Sequence, residues 1–476
     1  MTDYLHGVEV QEEQEINLTV ENADISSVLV IGTKPVQYLE NPQDIEKVTN
    51  YRELAQYIGD NITGYTLPDA VKTILDESGG AEIYTINVFD KEKHTSTVTK
   101  EIQLTDNKYE IPEIAPFDII LKNGDNELPK NDYIIDNNVI TINSDSFDSV
   151  TFSALTATYK YADFSKIQDC DIIGTTDSEG MRTGIQKIYD IDAVYGTTPG
   201  IVIAPEFVSK DVRNAIEALS DKLKFYFYAD CDKSVTVPKS EKARLKETQG
   251  VDLTTTSERT VLCAPWVTRH NSYKGIDELK PLSPVAAGLR VYQDRERNVA
   301  KSIDNTKSKT IKSTQFPISF KIDDRECDAN RFNAQGILTV INHKGRYYLW
   351  GARNAAFPSK SGLMTFESAR RTRDFINKSI QDTSFVCVGE TITQGFIDDV
   401  LNMINSAFAR WSNPQNRKEQ IIYDGEAYWD SSLNTAESLA NGHIYFPYKA
   451  CPLATAERIT FKDILDITII TKTLNS

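Results

Sequence analysis

The sequence predicts a multidomain α/β chain (α+β overall). A central α/β sheet domain carries an inserted small antiparallel β domain and precedes a C-terminal α+β domain, with extended arms at both ends. Three observations predict this. Short apolar runs ending in glycine or proline alternate with amphipathic, helix-length stretches over 25–89 and again over 166–325. Between them, 90–165 switches to a turn-rich pattern of short strands. Over 326–460, a hairpin and two amphipathic helices form a further apolar surface. A length of 476 residues allows about three domains.

The elements follow in order. Residues 1–24 are a polar arm in which Val8 and Val10 alternate with Glu9 and Gln11. A strand that short is unstable alone and must pair. Ser26-Ser27-Val28-Leu29-Val30-Ile31-Gly32 reads as a buried strand, and 49–59 as a short helix stopped by Gly59. A second helix spans 68–78, with Pro68 in its first turn, Val71, Ile74 and Leu75 as its stripe, and Gly79-Gly80 ending it. Residues 82–88 return as a strand, which implies a right-handed crossover.

In the insert, 117–121, 133–135, 139–142 and 150–161 read as strands, turned at Asn123-Gly124 and Asn137-Asn138. They suggest a small, surface-exposed antiparallel sandwich. Strands resume at 200–205, 225–229 and 261–266, and Ser209 caps a helix bearing Val212, Ile216 and Leu219. Residues 281–313 read as polar and loop-rich, including Asp294-Arg295-Glu296-Arg297. Strands at 336–341 and 346–351 pair around His343-Lys344-Gly345. Helix 366–382 turns Ala369, Ile376 and Ile380 inward. Thr393 caps a longer helix with Ile397, Val400, Leu401, Ile404, Phe408 and Trp411 on one stripe. In the final arm, 461–476, Leu465, Ile467 and Ile469 alternate with Asp466 and Thr468 as a strand.

Composition excludes several classes. With 69 acidic against 52 basic residues the formal charge is −17, which disfavours direct contact with nucleic acid and with anionic membranes. No apolar run approaches the roughly 20 residues of a spanning helix, so no membrane insertion is expected. The first residues have no basic or apolar signal region, and the six cysteines are scattered, Cys231 and Cys263 being the nearest pair. Neither a secretory signal, a disulfide framework nor a zinc site is expected, and synthesis in a reducing cytoplasm fits.

None of the five histidines neighbours a G-x-S-x-G or H-E-x-x-H motif. Gly32 alone after a strand is ordinary turn chemistry, not a phosphate loop, and Asp171 and Asp177 lack calcium-loop spacing. No catalytic residue, cofactor or metal is expected. Charge is uneven, however. Residues 331–476 hold 16 Lys and Arg against 14 Asp and Glu, while the other 330 carry 36 against 55. The last third is suited to an acidic partner.

Motif order adds a resemblance. Leu5-His6-Gly7-Val8-Glu9-Val10 leads into the Val28 to Gly32 strand. Ser283-Pro284-Val285-Ala286-Ala287-Gly288 precedes Asp294-Arg295-Glu296-Arg297-Asn298-Val299. Gly336-Ile337 is followed by Leu349-Trp350-Gly351-Ala352-Arg353 and then Ala369-Arg370-Arg371-Thr372. Over about 1–90 and 166–476 this resembles the contractile phage tail sheath family, with Asn298 where that pattern has glycine. The family's middle region is often called subtilisin-like from its fold, but no triad is present here.

The resemblance implies a structural protomer that polymerises as stacked rings into a helical sheath around an inner tail tube. It would contract to drive the tube through the host envelope. The implied partners are further copies of the chain, the tail tube protein, and baseplate and tail terminator proteins. The implied location is the virion tail, assembled in the host bacterial cytoplasm. Inter-subunit strand exchange would use Val8, Val10, Leu465, Ile467 and Ile469. Arg370, Arg373, Asn377 and Lys378, on the helix after the arginine motif, would face the tube. The alternatives are a non-contractile self-assembling or surface-layer protein with an adhesive β domain, and a hydrolase on the α/β domain.

Overall fold

A computed structural model describes residues 19–39, 45–59, 64–136, 138–143, 155–238, 253–272 and 274–469. An eight-stranded sheet lies at its centre: β1 (Val28–Gly32), β2 (Ile45–Val48), β3 (Ile83–Asn87), β4 (Ile201–Ile203), β5 (Tyr226–Asp230), β6 (Thr260–Cys263), β7 (Ile337–His343) and β8 (Arg346–Trp350). The order is β8-β7-β6-β5-β4-β1-β3-β2. Six inner strands run parallel, and β2 and β8 close the edges antiparallel. Parallel strands are covered on both faces, which is why their sequences are continuous apolar runs instead of alternations.

Alternate residues of β1 serve the two faces. Val28 and Val30 meet helices α1 (Thr66–Ser78) and α3 (Ser283–Glu296), whereas Leu29 and Ile31 meet α2 (Lys210–Leu223) and its neighbours. Helix α2 begins as its sequence predicts, with the Ser209 hydroxyl accepting from the Val212 N–H at 3.2 Å.

Helix α3 overturns the expectation of a loop over 281–313. Leu282, Val285, Ala286, Ala287 and Leu289 are buried, and so are Arg290 and Gln293. A helix enclosed on nearly every side shows no amphipathic stripe, so the periodicity test fails on it. Its start is fixed by Asp230 at the end of β5, whose carboxylate accepts from the backbone N–H groups of Leu282 and Ser283 at 2.9 and 2.8 Å. Gly288 sets its distance from α1, because a Cβ there would lie 2.8 Å from that of Glu77 and 3.1 Å from the Ile74 backbone.

Between β3 and β4, two antiparallel sheets pack around Ile111, Leu121, Tyr133, Ile140, Ala157 and Tyr159. One comprises Thr95–Glu101, Leu155–Ala162, Phe117–Asn123 and Asn126–Glu127. The other comprises Lys108–Glu110, Val139–Ile142 and Tyr133–Asp136. Tyr65, Phe89 and Phe164 form an edge-on aromatic group where this unit meets the main sheet.

After β8 come α4 (Glu367–Thr383), α5 (Gln394–Ser412) and a hairpin of Ile422–Ala427 with Tyr448–Pro452. Thr393 caps α5 by accepting from Phe396 N–H at 3.1 Å. Phe375, Ile376, Val400, Ile404, Phe408 and Trp411 form their core. Gly425 lies against the Phe408 ring, where a Cβ would come within 2.8 Å of it.

Candidate assembly interface

Both ends of the described chain lie on the helical C-terminal region. Val20 is buried in the α4–α5 core. Arg410 donates to its carbonyl at 2.7 Å, and Trp411 Nε1 donates to Asn22 at 3.1 Å. The backbone N–H groups of Glu21 and Ala23 donate to Thr383 and Ser379 of α4 at 3.1 and 2.9 Å. At the other end, Leu453 N–H donates to the Ile421 carbonyl at 3.1 Å, and the Thr455 and Ser368 hydroxyls meet at 2.9 Å. Arg353 then grips Glu457 through Nε and Nη2 at 2.6–3.2 Å.

Beyond that point the chain leaves the body. Residues 459–469 are all exposed, and Ile459, Phe461, Ile464, Leu465, Ile467 and Ile469 present their side chains to solvent, Phe461 at 91% and Leu465 at 87%. A strip with so many unburied large apolar residues needs an apolar partner. The expected strand is absent as far as Asp466, and 468–469 form a helical turn. An edge strand needs another strand to satisfy its backbone groups, and among the described residues none lies beside it.

Of the charged run 294–297 only Asp294 turns inward, into a buried hub, while Arg295, Glu296 and Arg297 are exposed. Arg371 on α4 pairs with Asp294 on α3 through two contacts of 2.9 Å, while Arg290 reaches Asp294 at 2.8 Å and Glu367 at 3.2 Å. Tyr228 on β5 donates to Glu367 at 2.9 Å, and Ser26 donates to Asp294 at 3.0 Å. Burial pushes the Asp294 carboxyl up, but Arg290 and Arg371 outweigh burial and hold it below the usual carboxylate range. Arg259 adds a bidentate pair to Asp374 at 2.8 and 2.9 Å. These contacts fasten the C-terminal helices to the central sheet.

The sequence-predicted site residues divide. Val8 and Val10 lie outside the described residues. Leu465, Ile467 and Ile469 are exposed together on the final strip. Arg370 has a side chain only 12% exposed, held by Asp374 and, at 3.8 Å, by Glu258. Arg373 and Asn377 are exposed, Asn377 accepting from the Tyr448 hydroxyl at 2.5 Å. Lys378 is half-buried and pairs with Asp382 at 3.1 Å. Sequence reading missed Arg290, Glu367, Arg259 and Asp374, because their partners lie on other elements. It also missed the exposed Phe385, Val386 and Val388 after α4, too short a run to show a period.

Among the described residues no His, Cys, Asp and Glu group could hold a metal, and no helix is long and apolar enough to cross a membrane.

No protein-family model matches the chain. It is 32% identical to the tail sheath protein of Burkholderia phage BcepMu over 476 residues, covering 97% of this chain and 96% of the relative. It is 28% identical to a putative prophage major tail sheath protein of Pseudomonas aeruginosa (strain UCBPP-PA14) over 302 residues, 63% of this chain and 74% of the relative. The structure superposes on the contracted helical sheath of the anti-feeding prophage with a TM-score of 0.58 at 15% identity, covering 98% of this chain and 100% of that one. The contracted sheath complex of the extracellular contractile injection system PVC gives 0.58 at 15% identity, covering 98% and 99%. At that identity the likeness shows a shared fold.

Proposed function

This chain belongs to the tail sheath protein family, and we propose from that premise how its parts assemble and act. As a family member it is a structural protomer of a contractile sheath, not an enzyme, and it assembles with copies of itself in a tail. In the reading proposed here, protomers stack as rings around a tail tube, with baseplate and terminator proteins at the sheath ends. Assembly takes place in the host cytoplasm, and contraction drives the tube through the host envelope.

The observation that carries this reading is the exposed apolar strip 459–469 on an otherwise packed body. Residues 461–476 and the part of 1–24 that precedes Val20 then act as exchanged arms, each adding a strand to a neighbour, while 20–23 stay on their own α4 and α5. The Ile422–Ala427 and Tyr448–Pro452 pair is a suitable acceptor, since among the described residues no third strand lies beside either strand. Main-chain bonds of that kind survive while the subunits move as rigid bodies.

The central domain is assigned to 25–89 and 166–325 together with β7 and β8, which complete its sheet, the C-terminal domain to the rest of 326–460 and an outer-surface insert to 90–165. The insert's separate core supports its place in this division. The tube-facing surface is assigned to the exposed part of α4 around Arg373 and Asn377, in the one third of the chain that is not acidic.

Electron microscopy of the purified chain, alone and with residues 459–476 removed, tests the reading. Hollow sheaths from the full chain and none from the truncated one are expected. Equal sheaths from both would reject strand exchange at this end.

A further inference from the structure

We propose that Arg353 is a positioning residue for the C-terminal arm, fixing where the arm leaves the body so that its apolar strip is presented to a neighbour over a short tether. This rests on the reading of 461–476 as an exchanged arm. Arg353 follows β8, and its guanidinium carbon lies 3.6 Å from the Phe366 ring centre and 4.9 Å from that of Phe357. Nη1 donates to Thr365 at 2.5 Å. Nε and Nη2 are left to the two carboxylate oxygens of Glu457 at 2.6–3.2 Å.

A planar cation packed against two rings and anchored at one nitrogen is restrained from turning to follow its partner. The pair therefore fixes the direction as well as the position of residue 457. The clamp side is sheltered, with Arg353 only 15% exposed, while Glu457 is 42% exposed. Among the described residues no hydrogen bond or ion pair joins 458–467 to the body, so the clamp is the last grip on the arm before the apolar residues begin at Ile459.

Without it, the next grips are Thr455 on Ser368 and Leu453 on Ile421. The free tether before Ile459 then grows from two residues to four or six. The effective concentration of a tethered strand falls roughly as the −3/2 power of tether length, so the neighbour sees an arm diluted about three- to fivefold.

The test is sheath formation by the full chain carrying Glu457→Ala, which leaves the Arg353 stack in place. Pelleting across a concentration series should show the polymerisation threshold raised about three- to fivefold, with the melting temperature of the unassembled protein unchanged. Glu457→Asp, which keeps the carboxylate, should move the threshold back toward that of the unaltered chain. An unaltered threshold in Glu457→Ala would overturn the proposal, as would a threshold shift accompanied by a lower melting temperature. A chain ending at Arg458 separates the two levels, because it keeps the clamp and loses the strip. If it still polymerises normally, the exchanged-arm reading fails. If it does not polymerise while Glu457→Ala behaves as the unaltered chain, only the clamp is rejected.

Discussion

Arg371 and Asp294 meet as a fork on a fork, two parallel contacts of 2.9 Å between α4 and α3, with the arginine side chain 1% exposed. Removing one partner leaves a charge buried without its counterpart, which costs about 3–5 kcal/mol. Arg371→Ala should lower the free energy of unfolding by that amount in urea titrations. Arg371→Lys should recover little, since an ammonium cannot reproduce the paired geometry.

Asp294 also sets an acid limit. Its folded pKa lies below its unfolded value, so it contributes stability above the unfolded pKa, about 4. That contribution is lost as pH falls through the folded pKa. Urea midpoints measured from pH 5 downward should fall more steeply for the unaltered protein than for Asp294→Asn, which has no proton to gain.

Asp230 has the opposite sign in a different window. Burial pushes its carboxyl up to about 7, against the lowering effect of Ser283 and the two backbone N–H donors. An acid whose folded pKa exceeds its unfolded value destabilises the fold as pH rises between them, here from about 4 to about 7, and its contribution is level above. Asp230→Asn should remove that component of the slope, read from thermal midpoints at a series of pH values.

Gly288→Ala should destabilise by about 1–3 kcal/mol despite alanine's better helix propensity, since α1 and α3 would have to separate. Chemical denaturation measures it. Gly395→Ala on α5 should show no such loss, because the nearest atom to a Cβ there is the Thr393 hydroxyl at 3.9 Å.

On α4, Arg373→Glu should leave the melting temperature unchanged, because the side chain is exposed. Arg370→Glu should lower it by setting a carboxylate against Asp374 and Glu258. If the exposed face meets an acidic tube, Arg373→Glu should weaken co-assembly on pre-formed tubes most at low salt, where screening is least. Equal co-assembly across a salt series would reject that surface while leaving arm exchange untouched.

Much of this was legible in the chain. Val28 to Gly32 and Ile201 to Ile203 read as buried strands because both their faces are covered, and Ser209 and Thr393 announced their helices through side-chain chemistry that acts three residues away. Helix α3 was not legible, because burial all round erases the period and its capping carboxylate comes from Asp230, 52 residues earlier. The burial of Arg290 and Asp294 was hidden for a related reason, their further partners being on α4. The final strip has a strand's alternation, yet among the described residues it lies beside no strand of its own chain.

Helix α4 is gripped near its end by residues 21 and 23, through Thr383 and Ser379, and near its start by Thr455, through Ser368. If both termini are pulled by neighbours, tension passes through the Arg353 clamp and the α5 contacts with Val20 and Asn22, and along α4, a rod of 17 residues, about 25 Å long at 1.5 Å per residue. The insert and most of the central sheet lie off that load path, so they can be altered in shape from one sheath to another without lengthening or softening the chain of force along the assembly.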